Sequence, residues 1–268
     1  MLIYILVFII GLCVGSFLNV LVYREAEEAK TWLPSWLWGR SYCDHCKKQI
    51  KWYDNIPLLS FVLLQGKCRY CHKKISFQYP LVEFLTGIEF LWIYFLIDKN
   101  LDLFTGFEGF YSFLTLIIWL VLSSLMLAIF VADIRWQIIP DLAVFGAILA
   151  TLFKIYIDYR YTGMIDLSLF TSAILAALFF LFLHLVTKGK GMGFGDIKLA
   201  FLLGLTLGFP KILVGLFTAF LTGAFWGVIL IIIKNKSLKT KIAFGPFLII
   251  GWLIALIWGE KIWQIYWQ

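Results

Sequence analysis

The chain has 268 residues, 62% of them hydrophobic and only 15% charged, with a formal net charge of +7. A soluble domain averages about 45–50% apolar and about 25% charged residues, so a water-soluble enzyme is excluded and a polytopic membrane protein is expected. The basic residues cluster in loops between apolar runs, so the positive charge is read as a membrane-topology signal and no nucleic-acid partner is expected. The 12 Trp, 26 Phe and 12 Tyr suit lipid-facing and interfacial belts.

A bilayer crossing needs about 20 apolar residues. In chain order the apolar runs are 2–22, 80–97, 111–132, 141–157, 166–187, 196–209, 211–233 and 242–258. The expected fold is therefore all-α and polytopic, with about eight transmembrane segments and a small cytoplasmic loop domain after the first. The run Met1–Val22 lacks a positive n-region and is followed by Tyr23-Arg24-Glu25 rather than a small-residue cleavage site, so it is read as a retained span. Residues 1–22 form this first span, 23–79 the loop domain and 80–268 the transmembrane core. The stretch 196–233 is nearly unbroken; as one helix it would reach roughly 57 Å, too long for a ~30 Å hydrocarbon core. Phe209-Pro210-Lys211 is the natural break. Gly204 and Gly208 in the short sixth run permit close helix contact or a partly re-entrant path.

With the N-terminus outside, 18 of the 23 Lys and Arg residues fall in the inside loops 23–79, 133–140, 188–198 and 234–241. The loop 98–110, with Asp98, Asp102 and Glu108, is acidic and fits the outside as a variable loop. By the positive-inside rule, Asp133 and Asp196 then both lie at the cytoplasmic side.

The loop 23–79 is too small to bury much of a core alone. It holds Cys43-Asp-His-Cys46 and Cys68-Arg-Tyr-Cys71, separated by 21 residues, close to the spacing of a structural zinc site with Cys43, Cys46, Cys68 and Cys71 as ligands. The halves CDHCKKQI and CRYCHKKI repeat weakly. A disulfide is disfavoured in a reducing cytoplasmic loop; a redox role, another metal or no metal remain as alternatives. His45 and His72 are read as neighbours of the site or surface residues. Cys13, inside the first span, is read as a small packing residue.

Two carboxylates stand at the ends of apolar runs. Asp133, in Ala132-Asp-Ile-Arg-Trp-Gln-Ile-Ile-Pro140-Asp141, closes one run, where the helix macrodipole disfavours an anion; a structural pairing with Arg135 is the alternative to a chemical role. Asp141 is read as the N-cap of the next helix. Asp196 follows Gly191, Gly193 and Gly195 and opens a helix, so a role as its N-cap competes with a chemical one. The glycines are expected to supply unusual dihedrals and room for a backbone. Lys198 points to another helix face, where it would tune a pKa or hold a carbonyl. Paired aspartates share one proton and activate water, one as general base and one as donor to a carbonyl. Together they describe a candidate membrane aspartyl protease.

In addition, Gly15-Ser-Phe-Leu-Asn-Val20 with Tyr23-Arg24, Arg40-Ser-Tyr-Cys43, both cysteine pairs, Asp54-Asn-Ile-Pro57, Gly66-Lys-Cys-Arg69, Tyr79-Pro-Leu-Val-Glu83, Asp133 to Asp141, Gly193-Phe-Gly-Asp-Ile-Lys198 and Phe244-Gly-Pro-Phe247 resemble, in order, the type IV prepilin peptidase family of membrane aspartyl proteases. One departure is Asp44, where a proline is common. The resemblance implies catalytic Asp133 and Asp196, and substrates that are prepilins or pseudopilins cut after a short basic leader on the cytoplasmic side of a bacterial inner membrane. It implies contact with pilus or secretion machinery, and N-methylation of the new N-terminus with S-adenosylmethionine, to which the cysteine loop, Asp54 and Asn55 correspond. No glycine-rich methyltransferase fingerprint is present, so methylation rests on resemblance alone. Glu83 is expected to meet the substrate amine or a basic partner such as Lys198, against a purely structural buried ion pair or a group snorkelling to the interface. Asn19 and Arg24 are expected to hold substrate backbone or to pack, and His184 to be a hydrogen-bonded structural histidine. The competing readings are a peptidase without methylation and a membrane metal or redox carrier built on the cysteines.

Overall fold

A computed structural model describes residues 2–28, 41–43, 45–98, 106–189, 191–234 and 243–267. Among these residues the regular structure is helical, with two isolated antiparallel bridges, and the chain forms two compact units, Met1–Ala128 and Ile129–Gln268.

The first unit holds α1 (Leu2–Glu28), the short α2 (Leu59–Leu63), α3 (Gln78–Asp98) and the start of α4 (Gly106–Trp136). Small residues let α1 and α3 touch backbone to backbone. A Cβ on Gly11 would sit 2.8 Å from Gly87 Cα, and one on Gly15 2.8 Å from Glu83 Cα. Asn19 Nδ2 then donates to the Gly15 carbonyl at 3.2 Å and to the Tyr79 carbonyl at 3.1 Å, tying α1 to the start of α3. At the other end Tyr94 and Leu116 are buried among Val7, Ile93, Ile97 and Leu120.

The second unit holds the end of α4 with α5 (Asp141–Thr162), α6 (Leu167–Val186), α7 (Phe194–Leu207), α8 (Lys211–Lys234) and α9 (Gly245–Trp267). Helices α6 and α7 run antiparallel: a Cβ on Gly204 would meet Ala173 Cα at 2.5 Å, and Gly208 abuts Ser168 and Leu169. Helices α8 and α9 also run antiparallel, with Gly251 lying directly on the Gly215 carbonyl. Lys211 pairs with Glu260 at 2.9 Å at one end, and Gly223 lies against Phe244 and Phe247 toward the other. Trp252, fully buried, donates its Nε1 to Thr206 Oγ1 at 2.9 Å and links α9 to α7.

Among the described residues, seven helices are long and apolar enough to cross a membrane: α1, α3, α4, α5, α6, α8 and α9. Phe217, Leu221 and Phe225 on α8 are exposed, as lipid-facing positions are. The short sixth run becomes α7, 14 residues long with nine of them buried. Its length of about 21 Å falls short of the ~30 Å core, and neighbouring helices enclose it. The result is a multi-pass membrane protein.

Candidate active site and metal centre

Both aspartates lie in the second unit and both are nearly out of water, Asp133 at 4% and Asp196 at 7% exposure. Asp133 sits in the last turn of α4. The turn is closed by Gln137, whose N–H donates to the Asp133 carbonyl at 3.0 Å with φ at 55°, a left-handed stop adopted by a non-glycine residue. The α4 dipole disfavours an anion here. The compensation comes from 112 positions away: Gly245 opens α9, and its free first-turn N–H donates to Asp133 Oδ2 at 2.8 Å. A Cβ on Gly245 would lie 2.5 Å from that same oxygen, so only glycine admits the contact. Arg135, whose pairing with Asp133 was the alternative to a chemical role, lies with its guanidinium 4.7 Å from the Trp136 ring centre.

Asp196 is the third residue of α7, and Gly193 is the N-cap. The Gly193 N–H donates to Asp196 Oδ2 at 2.9 Å, which is the return half of a capping box; glycine has no side chain to supply the other half. Asp196 is therefore not the N-cap, the alternative expected of it; as the third residue of the helix it accepts from the N-cap N–H, and that bond positions the carboxylate. Gly193 has an ordinary φ of −77°, and Gly191 and Gly195 also lie outside the positive-φ set, which corrects the expectation of unusual dihedrals. The left-handed residues are upstream, Lys188 at 49° and Gly189 at 70°. What Gly195 supplies is room: a Cβ there would meet Ile139 Cβ at 2.9 Å. Ile139 belongs to the connection between α4 and α5, so this contact brings the two aspartate-bearing segments together.

A second tie is polar. Lys198 Nζ pairs with Asp141 Oδ1 at 2.6 Å and lies 5.2 Å from the Phe194 ring centre and 5.8 Å from that of Phe145. Asp141 is the first residue of α5 behind the N-cap Pro140, and its carboxylate serves this ion pair instead of the capping role expected of it. Within this frame the Asp133 and Asp196 carboxylates interact electrostatically. Each is pinned through Oδ2 by one backbone N–H, so these bonds leave Oδ1 for other partners.

The cysteine loop belongs to the first unit. The Sγ atoms of Cys43, Cys46, Cys68 and Cys71 all lie within 4.8 Å of one another, close enough to bind a metal, and all four cysteines are free. The weak sequence repeat is a structural one. Cys43 N–H donates to the Lys48 carbonyl and Cys68 N–H to the Lys73 carbonyl, both at 2.9 Å. Lys47 and His72, four residues after the first cysteine of each half, both have φ of 55°. Bridges Tyr42–Gln49 and Lys67–Lys74 close the two turns. Burial pushes the Cys43 thiol up to about 11. At Cys68 burial acts in the same direction but is outweighed by hydrogen bonds from the Cys71 and Tyr70 backbone, which bring it down to about 7. His45 and His72 are exposed, as expected of surface residues; Cys13 is exposed on α1, against the expectation of a packing role. Asp54 receives Arg69 through Nε at 2.9 Å and Nη2 at 2.6 Å, a two-pronged clamp between the second knuckle and the turn at residues 52–55.

Glu83 on α3 is buried and accepts the Leu58 N–H at 2.9 Å, while Lys198 is engaged by Asp141. Leu58 has φ of 57°, so this carboxylate holds a strained turn of the loop against α3. Asn19 ties α1 to α3 as described above. The Arg24 side chain, Asp44, Lys190 and the segments 99–105 and 235–242 lie outside the described residues. Sequence reasoning missed Gly245 and Leu58 as partners; the Phe-Gly-Pro-Phe motif containing Gly245 was the available signal for the first.

Residues 9–97 match the family described as the bacterial peptidase A24 N-terminal domain, and residues 120–228 match the type IV leader peptidase family. A protein of Legionella pneumophila named prepilin leader peptidase/N-methyltransferase is 32% identical, the alignment covering 99% of this chain and 96% of that protein. Proteins of the same name from Aeromonas hydrophila and Pseudomonas aeruginosa are 32% and 33% identical, each alignment covering 97% of this chain and 92% of the relative. No solved structure matches the chain. The cysteine centre falls in the first matched region and both aspartates in the second, over nearly the full length of the relatives, and the chain belongs to the type IV leader peptidase family.

Proposed function

We propose that this protein cleaves the short basic leader of prepilins or pseudopilins at Asp133 and Asp196, on the cytoplasmic side of a bacterial inner membrane. The observation that carries the reading is the matched tethering of the two buried carboxylates, each by one glycine N–H on Oδ2. With one carboxylate ionised and the other protonated, the first takes a proton from water as it attacks the scissile carbonyl. The second donates to the carbonyl oxygen, and collapse of the tetrahedral species then expels the new amine, which receives a proton. The proton inventory belongs to the pair. The bias of Lys and Arg toward one set of loops supports the cytoplasmic placement.

The four thiolates would hold one structural zinc. A tetrahedral zinc with bonds of about 2.3 Å requires sulfurs about 3.8 Å apart, and the Cys43–Cys71 separation is 3.9 Å. Zinc would supply folding energy to a loop that has little core of its own. The names of the relatives and the match of the cysteine region support a second activity, methylation of the new N-terminus from S-adenosylmethionine. Glu83 and Asn19 would act by positioning that loop and α1 on α3; Gly193, Gly195 and Lys198 would position Asp196. Pilus or secretion machinery would supply the protein partners. A peptidase without methylation is the second reading, favoured only by the lack of a methyltransferase fingerprint in the sequence.

The test is cleavage of a purified prepilin in detergent or lipid by Asp133→Asn and Asp196→Asn variants, with the product mass read at its N-terminus. Loss of cleavage by both variants with an unchanged melting transition is expected; normal cleavage by either overturns the dyad. Product lighter by the leader but lacking one methyl group leaves the peptidase and removes the methyltransferase.

A further inference from the structure

We propose that His184 is a positioning residue for Asp196 and acts through a single peptide group. The inference rests on the catalytic reading of Asp196. His184 lies in the last turn of α6, and its Nδ1 is 2.8 Å from the Met192 carbonyl oxygen. A carbonyl can only accept, so Nδ1 carries the hydrogen and donates. The N–H on the other side of that same peptide plane is the Gly193 N–H, which donates to Asp196 Oδ2 at 2.9 Å. The imidazole, one peptide unit and the carboxylate therefore form one hydrogen-bonded chain. A donor on the carbonyl polarises the amide and strengthens its N–H toward the carboxylate, and the bonds reinforce each other in a site with little water.

The ring is itself held in place. It stands edge-on to Phe194, with ring centres 6.4 Å apart at 74°. Gly189, whose N–H donates to the His184 carbonyl at 2.9 Å, lies under it, and a Cβ there would be 3.3 Å from His184 Cε1. The glycines before Asp196 thus form a strap, and His184 is its fixed post. Gly193 has the φ of an ordinary residue and an added Cβ would meet Asp196 Oδ2 at an acceptable 3.4 Å. Room around Gly193 is therefore not what holds this peptide in place, and the two hydrogen bonds are.

The test uses the full-length enzyme and a purified prepilin. His184→Phe keeps the ring and removes the donor; His184→Asn places an amide N–H where Nδ1 stood. The Phe variant is expected to lose about tenfold in kcat with KM within about twofold, and the Asn variant to recover most of it. Gly193→Pro removes the other donor of the chain at a φ proline tolerates, and His184→Phe added to it should cost little more, since both cut one chain. The relay is overturned by full kcat in His184→Phe, by an Asn variant as slow as the Phe variant, or by fully multiplicative losses in the double variant. If His184→Phe does not fold, His184→Leu is read in its place: a kcat equal to that of wild type, or no faster turnover in His184→Asn than in His184→Leu, overturns it. Failure of the underlying reading is distinguishable, because Asp196→Asn would then cleave normally whatever the His184 variants do.

Discussion

The aspartate region and the cysteine region are built in opposite ways. The cysteine loop is local: every backbone bond that shapes a knuckle spans a few residues, and the second knuckle repeats the first. The aspartate region is assembled from afar, with the α9 start reaching Asp133 across 112 positions and Ile139 and Asp141 meeting Gly195 and Lys198 on α7. A local site needs an outside agent to close it, which the proposed zinc would provide. A site of distant segments is preorganised by the helix bundle and needs none.

The largest effect should come from the aspartates. Replacing Asp133 or Asp196 with Asn should lower leader cleavage by about 10²–10⁴-fold while the melting transition stays within a few degrees. Next is the metal. Chelation or Cys43→Ser should lower zinc from about one equivalent to below about half, and make the loop protease-sensitive while the second unit stays resistant. Joint collapse of both regions would break the comparison. Gly245→Ala should then cost about 10–100-fold in kcat, because the added methyl displaces Asp133 Oδ2 from its amide. A Gly245→Ala enzyme with wild-type kcat would show that the α9 start does not set the geometry. The smallest effect belongs to Glu83→Ala, which leaves the half-buried Leu58 N–H without its acceptor. A loss of about 1–3 kcal/mol in loop docking is expected, read as faster proteolysis near residues 53–60.

Much of this was legible in the sequence, for physical reasons. Apolar runs of about 20 residues announce crossings, and four cysteines in two knuckles announce their own cluster because their geometry is local. The aspartates were legible as misplaced charges. Their partners were not: a backbone N–H leaves no trace in residue identity, and only the glycine at 245, where a side chain would collide with Asp133, hints at one. For the same reason Lys198 and Asp141 could each be singled out but not paired, and Glu83 could be flagged as a membrane carboxylate without revealing that it serves Leu58. The glycines before Asp196 were read as supplying both unusual dihedrals and room; Gly195 supplies the room, against Ile139, and the dihedrals are ordinary, since sequence does not separate the two uses.

Helix α7 carries Asp196 on only 14 residues, enclosed by neighbours that are each long enough to cross. Because those longer helices enclose it, the short helix is matched to them and not to the bilayer, so its polar start can lie below the headgroup level inside the bundle without meeting lipid. In nanodiscs of increasing acyl length leader cleavage should hold steady until the longer helices themselves tilt, and a steep fall over one or two added carbons would show that the short helix faces lipid.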